Sequence, residues 1–315
     1  KAIEGILNRL LLQEWAKISN SRFYPYLNSA HLSSIIKHSN MQADSFSWTT
    51  SDGIKIYAVN WPCEKPKAVI GMIHGLGEHV HRYEHLVSYM HEQQIAVIGY
   101  DRRGHGRSGG KKGHTTTYQA FLDEIAQLAV EAEERYPKLP FFMYGHSMGG
   151  NLLLNYVLRR NPTIQGAIVS APHIRLAFEP SAVMVGLGKL MRGVFPGFTQ
   201  PNGLAVDQLS RDQAVVDAYV ADPHVHDKLT AITGMSMLET GAELDQYSGA
   251  FPVPLLLMHG GLDGITSAPA SEEFAGRVTG DVQLKIWDGL YHEIHNEPEQ
   301  TAVFEMVASW IGDRV

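Results

Sequence analysis

The chain has 315 residues, 44% of them hydrophobic and 19% charged, enough to bury a sizeable core and long enough for about two domains or one core with an insertion. Its formal net charge of −7 and sequence pI near 6.1 argue against a nucleic-acid binder, which needs clustered Lys and Arg to displace counterions from phosphates. Cys63 is the only cysteine, so neither an internal disulfide nor a thiolate metal cluster can form, which fits a reducing, cytoplasmic setting.

The first segment, residues 1–43, carries an amphipathic run (Ile3, Ile6, Leu7, Leu10, Leu11, Ile18) followed by a polar and aromatic stretch. Asn8, Arg9, Gln13 and Glu14 interrupt its hydrophobics, which is wrong for a signal-peptide core. Because the chain begins at Lys1 rather than Met, secretion stays open. This N-terminal extension reads as a helix packed on the core, a membrane-surface anchor or an added tail. No run approaches the roughly 20 apolar residues that span a bilayer.

From Phe46 the pattern becomes regular. IKIYAVNW is a strand of roughly alternating type, while KAVIGMI, IAVIGY, FFMY, GAIVS, PLLLM and QLKIW are short apolar runs of the kind buried on both faces of a parallel sheet. Phe121, Ile125, Leu128, Ala129 and Ala132 mark one face of a helix ending near Tyr136, and PEQTAVFEMVASWI marks another. Strand and helix alternate, so the expectation is a doubly wound α/β core over residues 44–171 and 249–315. Residues 172–248, with helical patterns and turns but no strong strand, read as a cap inserted over the carboxyl end of the sheet, where such folds bind ligands.

At the end of FFMY the chain runs into Gly145-His146-Ser147-Met148-Gly149 and then an apolar helix. Glycines on either side let the backbone turn sharply and lift a serine hydroxyl above the sheet, which marks Ser147 as the candidate nucleophile. A serine needs a histidine to take its proton and an acid to orient that histidine, in the chain order Ser, Asp or Glu, His. Asp263 follows PLLLM in HGGLDG, and His292 follows QLKIW in DGLYHEIHNEP. Asp207, Asp212, Asp222 and Asp245 lie in the insertion with no strand to fix them, and Asp288 suits a turn; His295 is the alternative base. The oxyanion donors are the backbone N–H groups of Met148, after the nucleophile, and Leu76, in the glycine-rich loop after KAVIGMI.

HGLGEHVHRY, YDRRGHGRSGG, YGHSMGG, LSRD with the later ADPHVH, HGGLDGITS and YHEIHNEP occur in that order. From Phe46 onward the chain therefore resembles the monoacylglycerol lipase and lysophospholipase group of serine α/β-hydrolases. The resemblance implies an α/β-hydrolase fold, a mostly parallel sheet flanked by helices, with a helical cap. It also implies Ser147, Asp263 and His292 as catalytic triad, with Leu76 and Met148 at the oxyanion. By the same resemblance Glu78, Arg82 and His295 bind the glycerol headgroup; the competing reading has Glu78 and Arg82 pairing with one another to brace their loop.

The insertion opens with a stripe suited to an acyl chain. Val183, Leu187, Leu190, Met191, Val194 and Phe198 recur at helical spacing, with Met184 and Phe195 beside them and Lys189 and Arg192 on the polar side. Met184, Leu187, Met191 and Phe195 are the candidate lipid contacts, and transient contact of the cap with a membrane or micelle surface follows. The expected activity is hydrolysis of a monoacylglycerol through an acyl-enzyme. Lysophospholipase, general carboxylesterase or acyltransferase activity is the near alternative, and a silent lipid-binding module the remote one.

Two other motifs are set aside. Gly104-His105-Gly106-Arg107-Ser108-Gly109 matches a dinucleotide fingerprint, but GKKGHTTT follows it instead of a helix. His74, His79 and His81 lack the carboxylates or HExxH spacing of a zinc site. No cofactor and no metal are expected, and the oligomeric state is left open.

Overall fold

The structure, a computed structural model, describes residues 43–315; the N-terminal amphipathic run lies outside the described residues. In chain order the elements are β1 (Asp44–Thr49), β2 (Lys55–Trp61), β3 (Ala68–Ile73), α1 (Glu84–Glu92), β4 (Ile95–Tyr100), α2 (Tyr118–Arg135), β5 (Phe141–His146), α3 (Met148–Arg160) and β6 (Gly166–Ser170). Then come α4 (Ala182–Val194), β7 (Thr199–Pro201), α5 (Gln213–Ala221), β8 (Lys228–Thr230), α6 (Ala231–Gln246), β9 (Leu255–Gly260), α7 (Ala268–Arg277), β10 (Val282–Trp287) and α8 (Gln300–Gly312).

Eight strands form one sheet in the order β1-β2-β4-β3-β5-β6-β9-β10. The pairs from β4 to β10 are parallel, and β1 and β2 add an antiparallel edge. The apolar runs become the central strands because both of their faces are covered. Phe142 on β5 meets Trp310 of α8 with ring centroids 5.9 Å apart, while its neighbour Met143 joins the core cluster of Leu128 from α2 and Leu153 from α3. The mostly parallel sheet, flanked by helices, is the architecture expected from the alternation.

Several elements carried no expectation, among them β1, α1, α7 and the β7–β8 ladder. β1 (DSFSWT) alternates polar residues with half-buried Phe46 and Trp48, and it pairs with β2 across a turn in which Gly53 adopts φ +82°. α1 has only three buried residues, Leu86, Val87 and Met90, and its charged and histidine positions hide its period.

Register decides where the loops emerge. Ile73 lies opposite Gly145, and Ser170 opposite both His146 and Met258, so the carboxyl ends of β3, β5, β6 and β9 are level. The loops that follow them open at one end of the sheet, below the segment holding α4, α5, α6 and the short β7–β8 ladder.

Candidate active site

Ser147 sits between β5 and α3 at φ +55°, ψ −116°, a conformation that L-residues rarely hold. The flanking glycines are there for lack of space. A Cβ on Gly145 would approach the Gly149 carbonyl oxygen to 2.5 Å, and one on Gly149 would run into the carbonyl oxygens of Ile73 and His74 on the neighbouring strand. The Ser147 amide donates to Ser170 O at 2.9 Å, fixing the corner to β6. Its side chain is the wall of a cavity, and among the described residues its hydroxyl has no hydrogen-bond partner, His292 included. Such bonds are often long until substrate is bound.

Asp263 hangs in the turn after β9 with its side chain fully buried, and its carboxylate collects five donors. Oδ1 accepts the amides of Ile265 (2.7 Å) and Thr266 (3.0 Å); Oδ2 accepts from His292 Nδ1 (2.7 Å), Thr266 Oγ1 (2.9 Å) and His259 Nε2 (3.0 Å). Burial presses the carboxyl toward its neutral form, but the His292 charge and these bonds more than offset it and hold Asp263 well below the usual carboxylate range. His292 shows the mirror image. Burial disfavours the imidazolium, yet the charge and hydrogen bond of Asp263 raise its pKa above the ordinary imidazole value.

The competing acids are engaged elsewhere. Asp212 caps α5 by accepting from Ala214 N, Asp222 bonds His79 Nε2 at 2.7 Å, Asp245 pairs with Arg175 and Arg277, and Asp207 and Asp288 are exposed. His295 is buried and stacks on Tyr83 at 4.7 Å, with neither ring nitrogen hydrogen-bonded.

The cavity beside Ser147 measures about 370 Å³. Leu76 and Met148 line it with Ser147, and among the described residues the protein offers neither of their amides an acceptor. Met184, Val185 and Gly188 of α4, Met235 and Leu238 of α6 and the loop 200–205 enclose the rest. An apolar cleft of this size is an ordinary small-molecule site.

Several expected contacts fall elsewhere. Of the four candidate lipid contacts only Met184 lines the cavity; Leu187 is 42% and Phe195 58% exposed, and half-buried Met191 lies outside the lining. Glu78, Arg82 and His295 are not in the lining either. Arg82 instead forms a fork with Glu293 (2.7 Å twice) and reaches Glu78 at 2.6 Å, while Glu78 also accepts from Gly75 N (2.5 Å) and the Tyr83 hydroxyl (2.7 Å). These side chains are spent on bracing the glycine loop, the competing reading of the sequence. Glu293 was not anticipated; burial opposes its charge, but Arg82 pulls its pKa down to about 2.

His259 and Thr266 also escaped the sequence reading. His259 stands four residues before Asp263, in HGGLDG, so the motif that singled out Asp263 already contained the histidine that holds it. The Gly104–Gly109 loop does not open into a helix, and its Asp101 neighbour ties it to Val80 N at 2.9 Å. Among the described residues no three His, Cys, Asp or Glu side chains gather as metal ligands.

An abhydrolase domain-containing protein of Dictyostelium discoideum is 39% identical over 84% of this chain, which spans 28% of that protein's length. A monoacylglycerol lipase of Mycolicibacterium smegmatis is 37% identical over 82% of this chain and 93% of its own. The crystal structure of the Paleococcus ferrophilus monoacylglycerol lipase superposes with a TM-score of 0.76 at 29% identity, covering 82% of this chain and 99% of that one. Residues 64–299 match the hydrolase family described as serine aminopeptidase, S33, and the protein belongs to that family of α/β-hydrolases.

Proposed function

We propose that the protein cleaves monoacylglycerols to fatty acid and glycerol through an acyl-enzyme on Ser147. In this reading His292 takes the serine proton as the hydroxyl attacks the ester carbonyl, and Asp263 holds the imidazole in the tautomer that can accept it. The amides of Leu76 and Met148 receive the developing oxyanion, each worth roughly 10²- to 10³-fold in rate. His292 then returns the proton to the leaving glycerol oxygen, and water activated by the same ring releases the acid.

The observation that carries this reading is the apolar cavity with Ser147 in its wall. Residues 172–248 act as the cap that closes it over a core of residues 44–171 and 249–315. Each acyl methylene buried there contributes about 0.8 kcal/mol, which favours long chains over acetate. An aminopeptidase, by contrast, needs an anionic contact for the substrate ammonium, and among the described residues no Asp or Glu lines this cavity.

The outer face of α4 supports contact with a lipid surface. Val183 is 78%, Leu190 61% and Val194 76% exposed, outside the cavity lining but on the same helix as its lining residues Met184 and Val185. No helix among the described residues is long and apolar enough to cross a membrane. Free Cys63 fits a cytoplasmic location.

The test is kcat/KM on matched monoacylglycerols, lysophosphatidylcholines, triacylglycerols and short p-nitrophenyl esters, with Ser147→Ala as blank. Preference for monoacylglycerols supports the reading. A lead for short esters with no headgroup effect reduces it to a carboxylesterase, and activity surviving in Ser147→Ala removes the nucleophile.

A further inference from the structure

Arg102 follows β4 and is fully buried, yet among the described residues it makes no salt bridge. A buried guanidinium without a carboxylate is costly, so its donors must go to groups that need them. Nε has no partner among the described residues, and the two terminal nitrogens go to the glycine loop. Nη1 donates to the His74 carbonyl and Nη2 to the Gly75 carbonyl at 2.6 Å, while the Phe121 ring lies 5.9 Å from the guanidinium carbon. The Arg102 amide also donates to His74 Nε2 at 3.0 Å. That leaves the ring proton on Nδ1, which donates to the same Gly75 carbonyl at 2.8 Å.

Peptide geometry turns these bonds into a direction. No cis peptide occurs among the described residues, so the Gly75 carbonyl and the Leu76 N–H, which share one peptide plane, point opposite ways. The neighbouring plane checks the logic: the His74 carbonyl faces Arg102, and the Gly75 N–H on its far side donates to Glu78 Oε1 at 2.5 Å. Gly75 stands against the nucleophile, since a Cβ there would lie 3.3 Å from Ser147 Cβ. With its carbonyl pulled down by Arg102 and His74, the Leu76 N–H is turned toward the cavity that Leu76 and Ser147 share.

We infer that Arg102 is a positioning residue for catalysis: its buried guanidinium fixes the Gly75–Leu76 peptide so that the Leu76 amide faces the oxyanion formed at Ser147. The inference rests on the reading of Ser147 as nucleophile. It adds a side-chain handle on a donor that no side-chain substitution removes directly. Lysine cannot replace the fork, because a single ammonium does not bond both carbonyls in the plane that the guanidinium imposes.

The experiment compares wild type, Arg102→Lys, Arg102→Met and Ser147→Ala, reading kcat and KM on a monoacylglycerol and the affinity for a long-chain alkylboronic acid. Boron accepts the Ser147 oxygen, the serine proton passes to His292, and the tetrahedral boronate places a negatively charged oxygen where the oxyanion forms. Both Arg102 variants are expected to lose about 10²-fold in kcat and a like factor in boronate affinity. KM should stay within about twofold, because the donor acts mainly in the transition state. A folded Arg102 variant with near-wild-type kcat and boronate affinity overturns the assignment, as does a loss confined to KM. Should the variants not fold, the crystal structure of the wild-type boronate adduct decides. A boronate oxygen accepting from Leu76 N, with Gly75 O on Arg102, supports the role, and an oxygen bonded elsewhere removes it. Full activity in Ser147→Ala would instead sink the nucleophile reading, an outcome separate from unimpaired Arg102 variants.

Discussion

His259 and His292 hold one carboxylate oxygen between them: Nε2 of the first and Nδ1 of the second lie 3.0 and 2.7 Å from Asp263 Oδ2. The other ring nitrogen of His259 faces the Ser271 hydroxyl at 2.8 Å, and its Nε2 also approaches the Thr266 carbonyl at 3.2 Å. Two oxygen acceptors at Nε2 put the proton there, so Ser271 donates to Nδ1. Asp263 is thus oriented by strand β9 and helix α7 whether or not substrate is bound.

This arrangement makes Asp263→Asn a severe change. An asparagine amide nitrogen at Oδ2 would meet the donors of His259 and Thr266, and one at Oδ1 would meet two backbone amides. We expect a loss of about 10⁴-fold in kcat, with the His292 tautomer misassigned. Steady-state kinetics beside a thermal melt checks this, and a loss under tenfold would point to another acid.

The pH profile follows from His292. In the proposed mechanism the neutral ring accepts the serine proton, and Asp263 raises its pKa above the ordinary 6.5. Activity should therefore be full on the alkaline side and fall as pH drops through the raised value. The acid limb of kcat/KM is expected above 6.5, and a limb at or below it contradicts the pairing.

Arg82→Met should act on stability. It leaves Glu293 and Glu78 buried and unpaired, which for a buried ion pair costs about 3–5 kcal/mol. Urea unfolding measures it, and a change below 1 kcal/mol, on the order of a surface pair, would mean that the network does not brace the loop. The same pairing predicts acid sensitivity. The Glu293 pKa is depressed from 4.5 to about 2, so the unfolded chain binds more protons in that window; its stabilisation is complete above 4.5 and fades as pH falls toward 2.

The outward residues of α4 separate surface binding from chemistry. Leu190→Ser with Val194→Ser should weaken sedimentation with phosphatidylcholine vesicles by roughly tenfold while leaving turnover of a soluble short ester unchanged. Equal binding by both proteins would end the case for this face.

The corner at Ser147 was legible because close approach leaves glycine alone at 145 and 149, and the Asp263–His292 pair was legible because each residue follows a strand of the sheet. The sequence misled on α4 for a physical reason. The apolar arc of AVMVGLGKLMRGV is wide, so helical spacing names a stripe without saying which edge of it meets the cavity; Met184, Val185 and Gly188 line it, while Leu187 and Leu190 are exposed. Glu78 and Arg82 were visible, but their partner Glu293 lies more than two hundred positions along the chain, beyond any local pattern. Arg102 carried no expectation, because only the register of β3 against β4 brings it under Gly75.

The backbone angle at Ser147 has a consequence for how this protein ages and adapts. A left-handed serine there stores about 1–3 kcal/mol that glycine would release, so Ser147→Gly should melt higher than the active enzyme. Durability and turnover thus pull in opposite directions on one residue, and variants selected for heat tolerance alone would drift toward silence at this position.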